Sequence, residues 1–294
     1  MPKALLIYNP CLRRAKDALG YAIACYRRAG WDLRVYRSNA AGDIPRFFKS
    51  KDLRGFDLFL AAGGDGTVNE IAAGMQGGGY DKPLGIVPCG TVNDFARCLK
   101  LPSRPDRCID LFLKGRTRRV DLGSANGRCF LNVCAAGLFS HGYMSYSPAA
   151  KELLGRYAYY AKAGISALTF RPSRLRLEAN GKAYTGLFSL VMALNSTGTG
   201  GFGRIAPAAS ASDGLLDVVA VKSLRPADMP RLFFKLNAGT LQSDPRVLSF
   251  QTSALQLQCL DDSPYFKFCD LDGDRAPGPP LSIAVLPSAL TVLC

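Results

Sequence analysis

Four short apolar runs in the first 120 residues constrain the fold of this chain most. They are Ala4–Tyr8, Trp31–Tyr36, Asp57–Ala61 and Leu84–Val87. Stretches with helical patterning separate them, at 14–28, 43–50 and 67–76. Runs of this kind read as strands buried on both faces, and helices between them imply a parallel sheet covered on each side. Ligands on such sheets bind at the carboxyl ends of the strands. The turns at Asn9, Gly63 and Pro88-Cys89-Gly90 all follow strands, so they are expected on one edge.

Past about residue 117 the pattern changes. Arg174-Leu175-Arg176-Leu177-Glu178 alternates strictly, and Asn180-Gly181 then offers a tight hairpin turn before Tyr184–Leu194. Further strands are expected at 128–134, 215–221, 247–260, 265–270 and 281–286, with helices at 151–168 and 226–237. The predicted fold class is therefore α/β plus mainly β. An N-terminal parallel-sheet domain, which the resemblance described below implies to be nucleotide-binding, spans 1–120, and the last strand, 286–294, can join it. An antiparallel β-rich domain spans 121–285.

Composition narrows the function classes. At 48% hydrophobic and 20% charged, with no uninterrupted apolar run near bilayer length, the 294 residues are neither disordered nor built to cross a membrane by helices. The first residues lack signal-peptide patterning, so a cytoplasmic location is expected. Ten cysteines occur without a CxxC pair, and most read as small buried hydrophobes. With a single histidine, His141, a zinc site is not expected, and any base is expected to be a carboxylate. The net charge is +14, and residues 1–121 hold 21 Lys/Arg against 12 Asp/Glu. Such a surface favours anionic partners: nucleotide phosphates, nucleic acid or an anionic membrane face.

Gly63-Gly64-Asp65-Gly66-Thr67 joins the third strand to a helix. Its glycines let the backbone approach a ligand, and the helix start directs free N–H groups and a positive dipole end there, which suits phosphate. Thr67 is expected to be the N-cap, with Glu70 completing a capping box. A carboxylate at Asp65 is repulsive in a phosphate cradle unless Mg²⁺ bridges it or it takes a proton in the reaction. A plain capped βα turn would explain one such segment. The next strand, however, ends in a second: Pro88-Cys89-Gly90-Thr91-Val92-Asn93-Asp94. No Walker lysine follows either turn.

These two segments, GGDGTVNE and PCGTVNDFAR, resemble the diacylglycerol kinase catalytic domain in its bacterial YegS-like form. The likeness continues in Phe130-Leu131-Asn132-Val133, Phe202–Pro207, Asp213–Val218 and Leu271-Asp272-Gly273-Asp274. The resemblance implies two domains with the active site between them, and transfer of the ATP γ-phosphate, with Mg²⁺, to a lipid hydroxyl on diacylglycerol or a related glycerolipid or sphingoid base. By motif match, the nucleotide contacts fall on Asn9, Ser38, Gly63, Gly64, Asp65, Gly66, Thr67, Val68, Asn69 and Thr91. The magnesium and phosphate network falls on Asp65 and Asp94, and the proton acceptor on Asp274. A second, structural metal would use Asp213 with backbone oxygens of Ser210 and Leu215.

The chain departs from the family pattern in three places. Asn9-Pro10-Cys11-Leu12-Arg13 stands where members often carry Asn-Pro-x-Ser-Gly. Asp274 replaces the usual glutamate. Asn195–Thr199 lacks the usual aromatic-rich version. Two alternatives follow: a nucleotide-binding, membrane-associated regulatory protein with lost or altered kinase activity, and a kinase for a soluble acceptor such as NAD. Gly198, Gly200 and Gly203 form a GxGxxG without the helix that a dinucleotide site requires. The segment 151–168 and the cluster Lys114, Arg116, Arg118 and Arg119 are candidates for peripheral contact with an anionic membrane. No nucleic-acid partner is expected, and the oligomeric state is open, a homodimer among the options.

Overall fold

The computed structural model describes residues 1–40, 42–138 and 170–294. The chain divides into two compact units, Met1–Leu122 with Pro287–Cys294, and Gly123–Leu286.

In the first unit, β1 (Lys3–Tyr8), β2 (Asp32–Arg37), β3 (Leu58–Gly63) and β4 (Leu84–Pro88) form a parallel sheet in the order β2-β1-β3-β4. Val292, near the end of the chain, adds in parallel beside Leu84. Strands β1, β3 and β4 are almost wholly apolar because both faces are covered, whereas β2, at the sheet edge, carries Asp32, Arg34 and Arg37 and has no buried residue, so the expected double burial does not extend to it. Helices α1 (Arg13–Arg28) and α5 (Pro105–Phe112) pack on the face of Ala4, Leu6, Leu58 and Leu60. Helices α2 (Asp43–Ser50) and α3 (Asp65–Gly78) pack together on the opposite face, where Phe48 meets Phe59. Between β4 and α5 lies the short α4 (Asp94–Cys98).

The short α4 opens directly after the second glycine turn, as the run Thr91-Val92-Asn93-Asp94 suggests. Sequence patterning did not reveal α5, which begins on Pro105, whose ring fits a first helical turn.

The second unit is antiparallel. After β5 (Thr117–Ala125) and β6 (Arg128–Phe130), the strands β7 (Val133–Gly137), β8 (Ser173–Ala179) and β9 (Lys182–Leu194) follow. The 13-residue β9 is the hub: its first half pairs with β8 and its second half with β7 on the same side. Strand β10 (Leu216–Lys222) pairs with the second half on the other side, then with β11 (Val247–Thr252). Strand β8 also pairs with β12 (Ala254–Cys259), and the hairpin β13 (Phe268–Leu271) with β14 (Asp274–Pro277) extends β7. The final strand, β15 (Leu281–Leu293), pairs β12 through Leu281–Ala284. Alternation in β8 puts Leu175 and Leu177 in the core and their neighbours outside. Asn180 and Gly181, both at positive φ, make the two-residue turn between β8 and β9.

Three expectations need correction. The run 128–134 is two strands broken at Leu131-Asn132, and 247–260 is a pair of strands broken at Ser253. Only four cysteines are buried (Cys89, Cys108, Cys134 and Cys269), although all ten are free thiols. The segment 151–168 and His141 lie outside the described residues. Helix α6 (Met229–Ala238) is the described counterpart of the helix expected at 226–237.

Candidate functional site: two glycine turns in contact

The edge at the carboxyl ends of β1, β3 and β4 carries the turns singled out above. The two glycine turns touch through bare backbone. A Cβ added at Gly90 would stand 2.6 Å from the Cα of Gly64, and one added at Gly64 would stand 3.3 Å from the Cα of Gly90. No side chain fits at Gly90, and one at Gly64 would be tight, so glycine is favoured here by space and not by φ. The Cys89 N–H donates to the Gly63 carbonyl at 2.9 Å and ties the two turns together. Asn93, in left-handed conformation, closes the second turn: its Oδ1 accepts the Gly90 N–H at 2.9 Å, and its Nδ2 donates to the Gly90 carbonyl at 2.7 Å.

Helix α3 starts two residues earlier than expected. Gly64 is its N-cap and Asp65 its first residue, so the Thr67–Glu70 capping box does not form. Thr67 instead packs its side chain over Gly63, where an added Cβ would come within 2.4 Å. Glu70 accepts the Gly42 N–H at 2.8 Å. The first intrahelical bond runs from Val68 N–H to the Gly64 carbonyl. The amides of Gly66 and Thr67 precede it and belong to the helix end that attracts anions. Gly66 is exposed, whereas Thr67, Val68 and Asn69 are buried. Val68 therefore serves packing, its N–H already bonded.

Asp65 has a role that local patterning did not show. Its Oδ1 accepts the Phe95 N–H at 3.3 Å, across the junction, at the start of α4. Burial raises its pKa, against backbone N–H groups of Phe95, Asn93 and Asp94 that lower it. Asp94, also buried, pairs with Arg97 at 2.5 Å. The two carboxylates thus stand at the two helix starts beside the glycine contact. Magnesium favours such hard oxygen donors, taking one or two carboxylates and completing its shell with water and phosphates. Burial disfavours the bare Asp65 anion and a hard cation would offset that cost, so two carboxylates at adjacent helix starts suit this ion.

The remaining expected contacts of this unit lie at its strand ends. Asn9 follows β1, where its Oδ1 accepts the Cys11 N–H at 2.9 Å and its N–H donates to Ala62 at 3.1 Å. Ser38 follows β2, buried, and its hydroxyl donates to the Tyr8 carbonyl at 3.2 Å. Thr91 is exposed at the crest of the second turn.

In the second unit, Asp272 and Gly273 form the two-residue turn of the β13–β14 hairpin, both at positive φ. Asp274 opens β14 and is exposed. Asp272 turns inward. Its carboxylate accepts the N–H groups of Leu131 at 2.5 Å and of Asn132 and Val133, both at 2.9 Å. That grip explains why β6 and β7 are separate strands. Burial pushes the Asp272 pKa up to about 7 in spite of these three donors. Its partners lie about 140 residues upstream, beyond the reach of any local sequence pattern.

Asp213 accepts the Leu215 N–H at 3.1 Å, while the Ser210 hydroxyl meets that of Ser212 at 3.3 Å. Among the described residues no group of three or more His, Cys, Asp or Glu side chains could hold a metal. Residues 198–203 form turns and a single bridge between Thr199 and Phe202, with no helix, which excludes a dinucleotide fingerprint there.

Comparison with known proteins identifies the family. Residues 3–125 match the diacylglycerol kinase catalytic domain, and residues 145–294 match the YegS C-terminal NAD kinase beta sandwich-like domain. The chain belongs to the diacylglycerol kinase family. It is 34% identical over 252 residues to the diacylglycerol kinase of Bacillus subtilis (strain 168), covering 84% of this chain and 83% of that one. The diacylglycerol kinase of Staphylococcus aureus (strain Newman) is 28% identical over 262 residues, covering 88% and 83%. The crystal structure of a diacylglycerol kinase from Bacillus anthracis str. Sterne superposes with a TM-score of 0.77 at 25% identity, covering 99% of this chain and 96% of that one. The protein is thus a lipid kinase with the mixed parallel and antiparallel fold of its family. No helix among the described residues is long and apolar enough to cross a membrane.

Two outcomes are predicted. Gly90→Ala drives a methyl group into the Gly64 backbone and should lower stability by about 1–3 kcal/mol in urea denaturation; an unchanged midpoint contradicts the contact. For Asp272 the folded pKa is raised, so folding favours its proton. Its contribution is fully present below the unfolded value of 3.8 and is lost as pH rises through about 7. Between about pH 4 and pH 7.5, the wild type should lose on the order of 2–4 kcal/mol relative to Asp272→Asn; parallel pH profiles contradict the assignment.

Proposed function

We propose that this protein transfers the γ-phosphate of ATP, with Mg²⁺, to a hydroxyl of a lipid, diacylglycerol being the first candidate acceptor. The observation that carries the reading is the pair of glycine turns in backbone contact, each opening a helix, with Asp65 and Asp94 beside them. The names of the Bacillus subtilis and Staphylococcus aureus relatives support the acceptor class.

Each residue has a role in this reading. The amides of Gly66 and Thr67 receive phosphate oxygens at the positive end of α3, and Gly63 and Gly64 let the nucleotide approach the main chain. Asn9, Ser38, Asn69 and Thr91 border the same nucleotide, with Val68 packing beneath them. Asp65 and Asp94 would hold Mg²⁺, which would supply positive charge to the transferring phosphoryl group. Arg97 keeps Asp94 oriented.

Asp274 accepts the proton of the lipid hydroxyl. It is one methylene shorter than the glutamate usual in the family, a difference of roughly 1.5 Å in reach. Phosphoryl transfer proceeds through a loose transition state in most analyses, so positioning matters more than base strength. Asp213 with the carbonyl oxygens of Ser210 and Leu215 would hold a second cation with a structural role.

The charge-removing, shape-preserving variant is the informative test. Asp65→Asn keeps an oxygen for the Phe95 N–H but removes the negative charge. It should lower ATP-dependent phosphorylation of diacylglycerol at least about 100-fold while the urea midpoint moves little. Asp274→Ala should lower turnover similarly, and Asp274→Glu should retain most of it. Full activity in both Asp65→Asn and Asp274→Ala would remove the mechanism. Phosphorylation of NAD in place of lipid in the same assay would transfer the reading to a soluble acceptor.

A further inference from the structure

We propose that helix α6 is a docking element for an anionic lipid surface, with Phe233 and Phe234 as its apolar insertion. This deepens the lipid-kinase reading by assigning the surface through which the protein meets its substrate's phase. The helix belongs to the second unit and is anchored there through Leu232 and Leu236. Leu232 is buried among Val219, Val221, Leu241 and Val247, and Leu236 packs partly against the same cluster. The next two residues face away: Phe233 is 50% exposed and Phe234 74% exposed. No other phenylalanine among the described residues is exposed, and these two are adjacent. The ring of Phe202 meets that of Phe233 edge-on with centroids 6.2 Å apart, bracing it without covering it. Pro230 and Ala238 are exposed on the same helix. At the root of the arm, the Ser223 N–H donates to Leu187, itself 53% exposed.

Charge around this face selects the occupant. Residues 222–246 carry five cations (Lys222, Arg225, Arg231, Lys235 and Arg246) and two acids, Asp228 and Asp244. Asp244 bridges Arg231 at 3.2 Å and Lys235 at 3.1 Å, and Asp228 pairs with Arg246. The acids offset two of the five cations, and Lys222 and Arg225 remain exposed. Exposed aromatic rings on a short helix within a net positive border match an interface of anionic headgroups over acyl chains. A second copy of the chain fits less well, because a two-fold contact would set this positive border against itself.

The test is co-sedimentation of the full chain with vesicles of phosphatidylglycerol and phosphatidylcholine, compared with phosphatidylcholine alone. The wild type should sediment with the anionic vesicles and less so at high salt. Phe233→Ser with Phe234→Ser should reduce that partition at least about 10-fold, with unchanged circular dichroism and unchanged phosphorylation of a dispersed short-chain diacylglycerol. Should this pair fail to fold, Lys222→Glu with Arg225→Glu leaves the apolar face intact and should weaken anionic binding alone. Equal partition of wild type and variants overturns the proposal, as does a wild type that ignores vesicles while the phenylalanine variant converts a dimer to a monomer. Vesicle binding that depends on Phe233 and Phe234 in a protein that phosphorylates no lipid supports the surface and removes the kinase reading.

Discussion

The site depends on a contact in which no side chain takes part. Gly64 and Gly90 bring two strand-to-helix turns together through their main chains, closer than any Cβ permits. Because β3 and β4 are paired in register up to Gly63 and Pro88, the turns leave the sheet side by side. Their helices then start next to one another. The Asp65 carboxylate spans that junction to the Phe95 amide, so the start of α3 is tied to the start of α4, where Asp94 stands. A larger residue at Gly90 would push the two turns apart.

The two units handle buried carboxylates differently. Asp65 is bonded by a backbone amide and its pKa is raised by burial, and Asp94 is paired with Arg97. Such an arrangement is poised for a cation carried in with a phosphate ligand. Asp272 is surrounded by backbone amides and binds a strand break to a hairpin turn, which fixes the start of β14 and thereby Asp274. Under the proposed function the first pair serves an incoming ligand, whereas the bonds of Asp272 serve local geometry. Asp272 is accordingly a positioning residue.

How much was legible in the sequence follows from the range of each interaction. The strands β1, β3 and β4 and the glycine turns were readable because apolar runs and glycines act within a few residues. The hairpin at Asn180-Gly181 was readable for the same reason. The true start of α3 was not, since Thr67 is drawn away from a capping role by the space over Gly63, a tertiary effect. The link from Asp65 to Phe95 and that from Asp272 to 131–133 join residues far apart in sequence, and no local pattern announces them. Family likeness supplied Asp274 and the cation ligands, which neither periodicity nor spacing could have assigned. The exposure of Phe233 and Phe234 was equally hidden, because helical patterning alone does not say which apolar residues remain outside.

The central claim is that the paired turns serve phosphoryl transfer from ATP to a lipid. The most direct measurement supplies the purified wild-type chain with γ-labelled ATP, Mg²⁺ and a total lipid extract, and follows the label into the organic phase. The account predicts a labelled, chloroform-soluble product whose mass exceeds that of its parent lipid by one phosphate, lost when Mg²⁺ is chelated. Label that remains wholly in water-soluble species, with nucleotide bound and intact, would contradict it.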